Sequence, residues 1–357
     1  MSANAAPKIR VAIVDDSSFV RAALQRIIDA EARFEVIGQA SDGRSAIALV
    51  EKLRPDVVTM DYNMPGMAGD EVVRRILAAV PTPIVMVSAH TTEGAEATVA
   101  ALAAGAIDVV AKPGGEVSMN LAQVSGELLA KLAIAARSHP RPSSISAPSA
   151  AAPAPPHASA SSSSMVTDRL AERVVVIGAS TGGPAALDAL VRALPSSTYG
   201  VMIVQHMATS ALTTAFAARL ASVSPLRVRQ AVDGDRLRAG LALVAPGGRH
   251  LTFVAGGAVR LNDDPPVHGV RPAVDLAMKS AASCFGARAI GVVLTGMGRD
   301  GALGLAAIKS AGGRTFAQDQ ATSVVFGMPR AAIELGVVDE VAPLEGLAKA
   351  IARALSR

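Results

Sequence analysis

The stretch Arg173-Val-Val-Val-Ile-Gly-Ala-Ser-Thr-Gly-Gly-Pro184 decides the fold of the half of the chain in which it lies. Val174 to Ile177 is an unbroken apolar run without polar alternation, as suits a strand buried on both faces of a parallel sheet. Gly178, Ala179, Gly182 and Gly183 allow a tight turn with Ser180 at its tip, and Pro184 suits the first turn of a following helix. Strand, Gly-rich turn and helix make one α/β unit. The style repeats downstream, where Val201 to Gln205, Leu241 to Ala245 and Ile290 to Leu294 each end in Gly or polar turns. Leu251 to Leu261 reads as an antiparallel hairpin turning at Gly256-Gly257. Upstream, Ile9 to Val14, Phe34 to Ala40, Val57 to Met60, Ile84 to Val87 and Val109 to Ala111 alternate with helix-length amphipathic stretches. Both halves are therefore expected to be α/β, each a doubly wound parallel sheet, with ligands gathering at the carboxyl ends of the strands.

The chain has 357 residues, half of them hydrophobic but only 3% aromatic, with no Trp, so its cores must be built from Ala, Val, Ile, Leu and Met. Ser138 to Met165 is almost entirely Ser, Ala and Pro with one charge, Arg141, and cannot bury enough apolar surface to offset its ordering entropy. It reads as a flexible linker, residues 138–165, between domains of residues 1–137 and 166–357. The leading domain carries −3 (13 basic against 16 acidic residues) and the trailing one +6 (20 against 14), an asymmetry that the net +4 hides. No basic helix cluster or aromatic stacking motif suggests nucleic acid. The single cysteine, Cys284, excludes an internal disulfide and is expected to be a small core residue. Met1 to Pro7 lacks an apolar leader core, and no segment offers the roughly 18 apolar residues of a membrane span. A cytoplasmic monomer without membrane insertion is expected.

Asp15 and Asp16 end the first strand, Asp61 the third, Ser88 the fourth and Lys112 the fifth, so all five residues are expected on one edge of the sheet. Three carboxylates gathered there repel one another and call for a hard divalent cation, for which Mg²⁺ is the natural choice. With the metal, one carboxylate can attack a phosphoryl group while Lys112 and the Ser88 hydroxyl stabilise its equatorial oxygens. Together with Asp61-Tyr-Asn-Met-Pro-Gly66 and Ala111-Lys112-Pro113, these residues make the first domain resemble a response-regulator receiver, which is a flavodoxin-like fold. The resemblance implies Asp61 as phosphoacceptor and a histidine kinase as donor. It further implies Asp16, Asp61 and the Asn63 carbonyl as metal ligands, and Asp15, Ser88 and Lys112 in support. Val109 stands where receivers carry a switching aromatic, which leaves motion of Ser88 toward the phosphoryl group as the available relay.

In the second domain the Gly-rich turn could cradle phosphate, but a P-loop needs Lys where Pro184 stands. A dinucleotide fold wants an acidic residue where the next strand ends in Gln205-His206. A nucleophilic serine fits better. Of this domain's histidines, His206, His250 and His268, only His206 directly ends a buried strand, beside the strand of Ser180. Leu294-Thr-Gly-Met-Gly-Arg-Asp-Gly301 presents Asp300 after another strand to orient the imidazole. The order Ser, His, Asp departs from the Ser, Asp, His of α/β-hydrolases. Ile177-Gly-Ala-Ser-Thr-Gly-Gly183, Gln205-His-Met207, Ala245-Pro-Gly-Gly-Arg-His250, Arg271-Pro-Ala-Val-Asp275, the Asp300 loop and Ser323-Val-Val-Phe-Gly-Met-Pro329 together resemble the chemotaxis protein-glutamate methylesterase (CheB) family. Ala273 departs mildly, since the family more often has Ser there. The resemblance implies a Rossmann-like esterase domain with the triad Ser180, His206 and Asp300, needing no cofactor. Its implied substrates are glutamate methyl esters and certain glutamines of chemoreceptors. The oxyanion is expected at the backbone N–H groups of Thr181 and Met297. The unphosphorylated receiver is expected to pack on the Ser180 face, and phosphorylation of Asp61 to loosen it.

Overall fold

In the computed structural model, which describes residues 7–88, 92–112, 121–138, 169–195 and 198–356, the first five apolar runs form a parallel sheet ordered β2-β1-β3-β4-β5. Its elements are β1 (Ile9–Val14), α1 (Ser18–Asp29), β2 (Phe34–Ala40), α2 (Gly43–Leu53), β3 (Val57–Met60), α3 (Gly69–Ala79), β4 (Ile84–Ser88), α4 (Thr92–Ala104), β5 (Asp108–Ala111) and α5 (Leu121–Ala135). Local chemistry fixes the helix starts. The Ser17 hydroxyl accepts the Val20 N–H ahead of α1, and Asp42 and Ser45 form a reciprocal capping box on α2. The Ser/Ala/Pro segment, apart from Ser138, lies outside the described residues.

The second sheet has seven parallel strands. In chain order the elements are β6 (Val174–Ala179), α6 (Gly183–Ala193), β7 (Gly200–Gln205), α7 (Ser210–Ala221), β8 (Arg227–Gln230), β9 (Leu241–Val244), β10 (His250–Val254), β11 (Ala258–Asn262), α8 (Val274–Phe285), β12 (Ala289–Val293), α9 (Ala302–Ser310), β13 (Arg314–Gln318), α10 (Met328–Glu334), β14 (Glu340–Ala342) and α11 (Leu344–Leu355). The sheet order is β14-β13-β12-β6-β7-β9-β8, and β10 and β11 form the expected separate hairpin with Leu251 opposite Leu261. Every residue of β6 is buried, and each of its Val and Ile side chains contributes about 1.5–3 kcal/mol by leaving water. Three strands escape a reading by apolar runs. β8 is an edge strand, Arg-Val-Arg-Gln, with one buried residue; β13 mixes Arg, Thr and Gln with two apolar residues; β14 has only three residues.

Strand succession reverses at β6, whose neighbours are β7 and β12, so the crevice between the carboxyl ends of β6 and β12 is the expected ligand position of this sheet. Two close approaches leave no room for added side chains around the carboxyl end of β6. A Cβ on Gly178 would lie 2.4 Å from Val274, and one on Gly183 would lie 2.1 Å from Gln205 Oε1.

The two domains touch. From Ala97 to Ala104, α4 is Ala, Thr, Val and Leu around its whole circumference, the mark of a helix covered on more than one side. One side serves its own sheet, and the helix also packs against α6 and α7. Buried residues of both domains, among them Val99, Leu102, Leu187 and Phe216, consequently belong to one continuous apolar cluster. Val324, in the loop before α10, packs against the first domain's other core cluster, which contains Leu128 and Leu132.

Candidate active site and candidate phosphoacceptor site

The structure brings Ser180, His206 and Asp300 to the expected edge: Ser180 follows β6, His206 follows β7, and Asp300 lies in the loop after β12. His206 Nε2 lies 2.9 Å from Asp300 Oδ2. Burial alone would raise the pKa of Asp300. The hydrogen bond and charge of His206, with the N–H groups of Asp275 and Val274, outweigh burial and hold the carboxyl below its ordinary range. An ionised Asp300 only accepts, so Nε2 carries the proton and Nδ1 is the nitrogen free to act as base. Ser180 Oγ makes no hydrogen bond to any described residue, and its N–H donates to the Thr295 carbonyl at 3.1 Å. Neither the Thr181 nor the Met297 N–H donates to any described residue. Met297 sits close to the serine because Gly296 lies against it: a Cβ there would be 2.8 Å from Ser180 Cβ.

The other two histidines have different duties. His250 is fully buried, with Nδ1 accepting the Ala273 N–H at 3.2 Å and Nε2 facing the Pro265 carbonyl at 3.2 Å, so both ring nitrogens serve the backbone. His268 lies 3.0 Å from Asp275 Oδ2. His268, Asp275 and Asp300 gather enough donor atoms for a metal, but their oxygens are already occupied by N–H groups and imidazoles.

Several participants escape a reading of strand ends alone. Gln205 donates from Nε2 to the carbonyls of Ser180 (2.9 Å) and His206 (3.2 Å), tying nucleophile and base together through their backbones. The signal for it was a polar residue closing an otherwise apolar strand, directly before the histidine. Thr295 Oγ1 donates to the Thr181 carbonyl at 3.0 Å and accepts the Val325 N–H at 2.9 Å, joining the serine turn to the segment that carries Val324. Cys284, expected in the core, is half-buried at its edge, 3.4 Å from the Val254 carbonyl.

The first domain also meets this site. The Gly182 N–H donates to the Ile107 carbonyl at 2.9 Å, and Thr181 Oγ1 to Asp108 Oδ2 at 2.5 Å. Asp108 Oδ1 in turn holds Lys131 Nζ at 2.9 Å. Burial would lower the Lys131 pKa, but Asp108 and Glu127 raise it overall, so the lysine stays charged. The start of β5 is thus hydrogen-bonded to the two residues that follow Ser180.

At the edge of the first sheet, Asp15, Asp16 and Asp61 present oxygens within 4.8 Å of one another. Lys112 Nζ is 2.8 Å from Asp61 Oδ2 and 3.0 Å from Asp15 Oδ2. Burial raises the pKa of Asp15 against the pull of Lys112 and the Ser17 N–H. Asp15 Oδ2, though close to the ammonium, has no partner in hydrogen-bond geometry. Three hard carboxylate donors this close together fit a divalent cation such as Mg²⁺. Asn63 is exposed in the loop after β3, and its carbonyl accepts from no described residue. Ser88, expected near a phosphoryl group, accepts at Oγ from Thr98 Oγ1 of α4 at 2.8 Å. No helix among the described residues is long and apolar enough to cross a membrane.

Comparison with known proteins places these features in company. The family model described as CheB methylesterase matches residues 175–351, and that of the response regulator receiver domain matches residues 11–122. A protein-glutamate methylesterase/protein-glutamine glutaminase of Symbiobacterium thermophilum is 46% identical over 354 residues, 97% of each chain. One of Pyrococcus abyssi is 44% identical over 353 residues, covering 98% of this chain and 94% of its own. The crystal structure of the Thermotoga maritima CheB methylesterase catalytic domain, 40% identical, covers 51% of this chain and 97% of its own with a TM-score of 0.49.

Proposed function

Because this chain belongs to the CheB family of protein-glutamate methylesterases/protein-glutamine glutaminases and carries a receiver domain ahead of its esterase domain, we propose that Ser180, His206 and Asp300 are its catalytic triad and Asp61 its phosphoacceptor. The enzyme is a carboxylic-ester hydrolase whose receiver regulates demethylation and deamidation in chemotactic adaptation. The observation that carries the triad is the 2.9 Å contact of His206 Nε2 with an ionised Asp300, one strand from Ser180.

His206 Nδ1 takes the Ser180 proton as Oγ attacks the side-chain carbonyl of a methylated glutamate, and Asp300 stabilises the imidazolium. The oxyanion is held by the Thr181 and Met297 N–H groups, which donate to no acceptor among the described residues. His206 then protonates the leaving group. Methanol departs from an ester and ammonia from an amide; ammonia is the poorer leaving group, so deamidation depends more on the imidazolium as acid. Water hydrolyses the acyl-enzyme by the reverse proton route, and no cofactor enters.

In the receiver, Asp16, Asp61 and the Asn63 carbonyl would hold Mg²⁺, which when bound neutralises charge on the transferring phosphoryl group. Asp15 supports the ligands, while the Lys112 ammonium and the Ser88 hydroxyl donate to the phosphoryl oxygens. The phosphodonor is a chemotaxis histidine kinase, and the substrates are methyl-accepting chemoreceptors. The protein works as a cytoplasmic monomer of receiver (1–137), linker (138–165) and esterase (166–357). At rest the receiver restrains the serine turn; the bonds from Thr181 to Asp108 and from Gly182 to Ile107 support this reading.

Methanol release from methylated receptor membranes tests the assignment. Ser180→Ala should reduce release by at least about 10³-fold, and Asp61→Ala should leave the basal rate while removing stimulation by phosphodonor. Full activity of Ser180→Ala would sink the triad.

A further inference from the structure

Two helices beside the triad begin without a cap of their own. α8 follows Ala273 and α9 follows Gly301, and neither residue offers a side-chain acceptor for the N–H groups of the first turn. Each helix finds its acceptor on the other. Asp300, just before α9, accepts the Val274 N–H at Oδ2 (2.7 Å) and the Asp275 N–H at Oδ1 (2.9 Å). Asp275, in the first turn of α8, accepts the N–H groups of Gly301 (2.9 Å) and Gly304 (2.7 Å) at its own Oδ1. Its Oδ2 is 3.0 Å from His268 Nε2. Both carboxylates are buried, and a side chain on Gly304 would strike Met278 at 2.6 Å, so the two helix starts have no slack.

Asp300 Oδ2 has two lone-pair directions, one used by Val274 and one by His206. Its aim at His206 is therefore only as good as the placement of the loop that carries it. Asp275 anchors the two residues of that loop and helix nearest to Asp300 in this network. We propose that Asp275 is a positioning residue for the hydrolytic reaction: it holds Asp300 in line with His206 through the reciprocal cap, and His268 steadies its second oxygen. The inference rests on the assignment of Ser180, His206 and Asp300 as the triad.

A purely structural cap would affect how much protein folds and leave turnover per folded molecule unchanged. Positioning predicts a loss in kcat alone, since a misplacement of about 1 Å at a reacting group costs about 10²-fold. The experiment uses the full chain activated with acetyl phosphate and Mg²⁺, with methyl-esterified chemoreceptor membranes as substrate. Asp275→Ala should lower kcat about 10²-fold with KM within about twofold. Asp275→Asn, whose amide oxygen can still accept from Gly301 and Gly304, should recover to within about fivefold. The low-field proton resonance of His206 Nε2–H should persist in Asp275→Asn and be lost or displaced in Asp275→Ala.

His268→Gly supplies a variant that does not depend on Asp275→Ala folding. His268 occupies a left-handed backbone conformation (φ 55°), which glycine adopts readily, so the thermal midpoint should hold while Asp275 loses its brace. Its kcat should fall about three- to tenfold at unchanged KM. Unchanged kcat in His268→Gly and in folded Asp275→Ala, with Ser180→Ala inactive, overturns the positioning role. Equal inactivity of Asp275→Asn and Asp275→Ala also overturns it, because the charge rather than the cap would then matter. Activity in Ser180→Ala overturns the triad, and this inference with it.

Discussion

Asp15 shows how a receiver site trades stability for chemistry. Its folded pKa lies above the ordinary value of about 3.9, mainly because the carboxyl is buried. The fold therefore disfavours the ionised form, and the sign of the linkage follows. Above the raised value the charge destabilises the fold; below the ordinary value the group is neutral in both states and the penalty vanishes. Asp15→Asn should raise the thermal midpoint of the receiver at pH 7 by roughly 4–8 °C per 1 kcal/mol recovered, with no gain at pH 3, while slowing phosphorylation by acetyl phosphate. Scanning calorimetry at the two pH values checks the first part. A lower midpoint at pH 7 would mean that the ion pair with Lys112 outweighs burial. Asp300 has the opposite sign: its pKa is depressed, so its contribution is present above the ordinary value and lost as pH falls through the folded one. The same residue type thus works against the fold in one domain and for it in the other. Both carboxyls are buried: around Asp300 the imidazole and two N–H groups outweigh burial, whereas around Asp15 burial outweighs the Lys112 ammonium and the Ser17 N–H.

At the scale of elements, β5 and α4 are where the first domain meets the second. Asp108→Ala removes the bond to Thr181 and the anchor of Lys131. A hydrogen bond to a charged group contributes about 1.5–3 kcal/mol, so the unphosphorylated enzyme should gain at least about tenfold in basal methanol release and respond less to phosphodonor. With no aromatic ring at Val109, Thr98 is the residue to test as a relay. Its hydroxyl joins Ser88 to α4, and α4 meets α6 and α7. Thr98→Val should leave phosphorylation of Asp61 nearly intact yet cut stimulation of the esterase several-fold, which paired phosphorylation and methanol assays would separate. Positions at strand ends were legible in the sequence because apolar runs announce where a parallel strand stops; Ser180, His206, Asp61 and Lys112 were placed that way, and Asp300 in a loop that follows a strand. Asp275 and Thr98 were not. They sit inside helices, and what makes them matter is a partner 26 or 10 residues away along the chain. The edge strands β8 and β14 were illegible for a simpler reason, since strands this short or half-exposed leave no apolar run to read.

At the scale of the whole molecule, receiver and esterase share buried apolar residues in one cluster. The fragment from Met165 onward should accordingly be several-fold more active than the unphosphorylated chain, and equal or lower activity would refute inhibition by docking. The unphosphorylated chain should also unfold in one calorimetric transition, and the chain held with phosphodonor in two, because uncoupling the domains divides one cooperative unit. Coupling is reciprocal: whatever free energy phosphorylation withdraws from the docked arrangement is lost from the resistance of the whole to heat. On the proposed release by phosphorylation, α4 and its partners on α6 and α7 would present fresh apolar surface to water, the kind that proteases and chaperones engage. Under that proposal the silent enzyme is the durable one, and each molecule that answers a stimulus would spend its active time in the more perishable form.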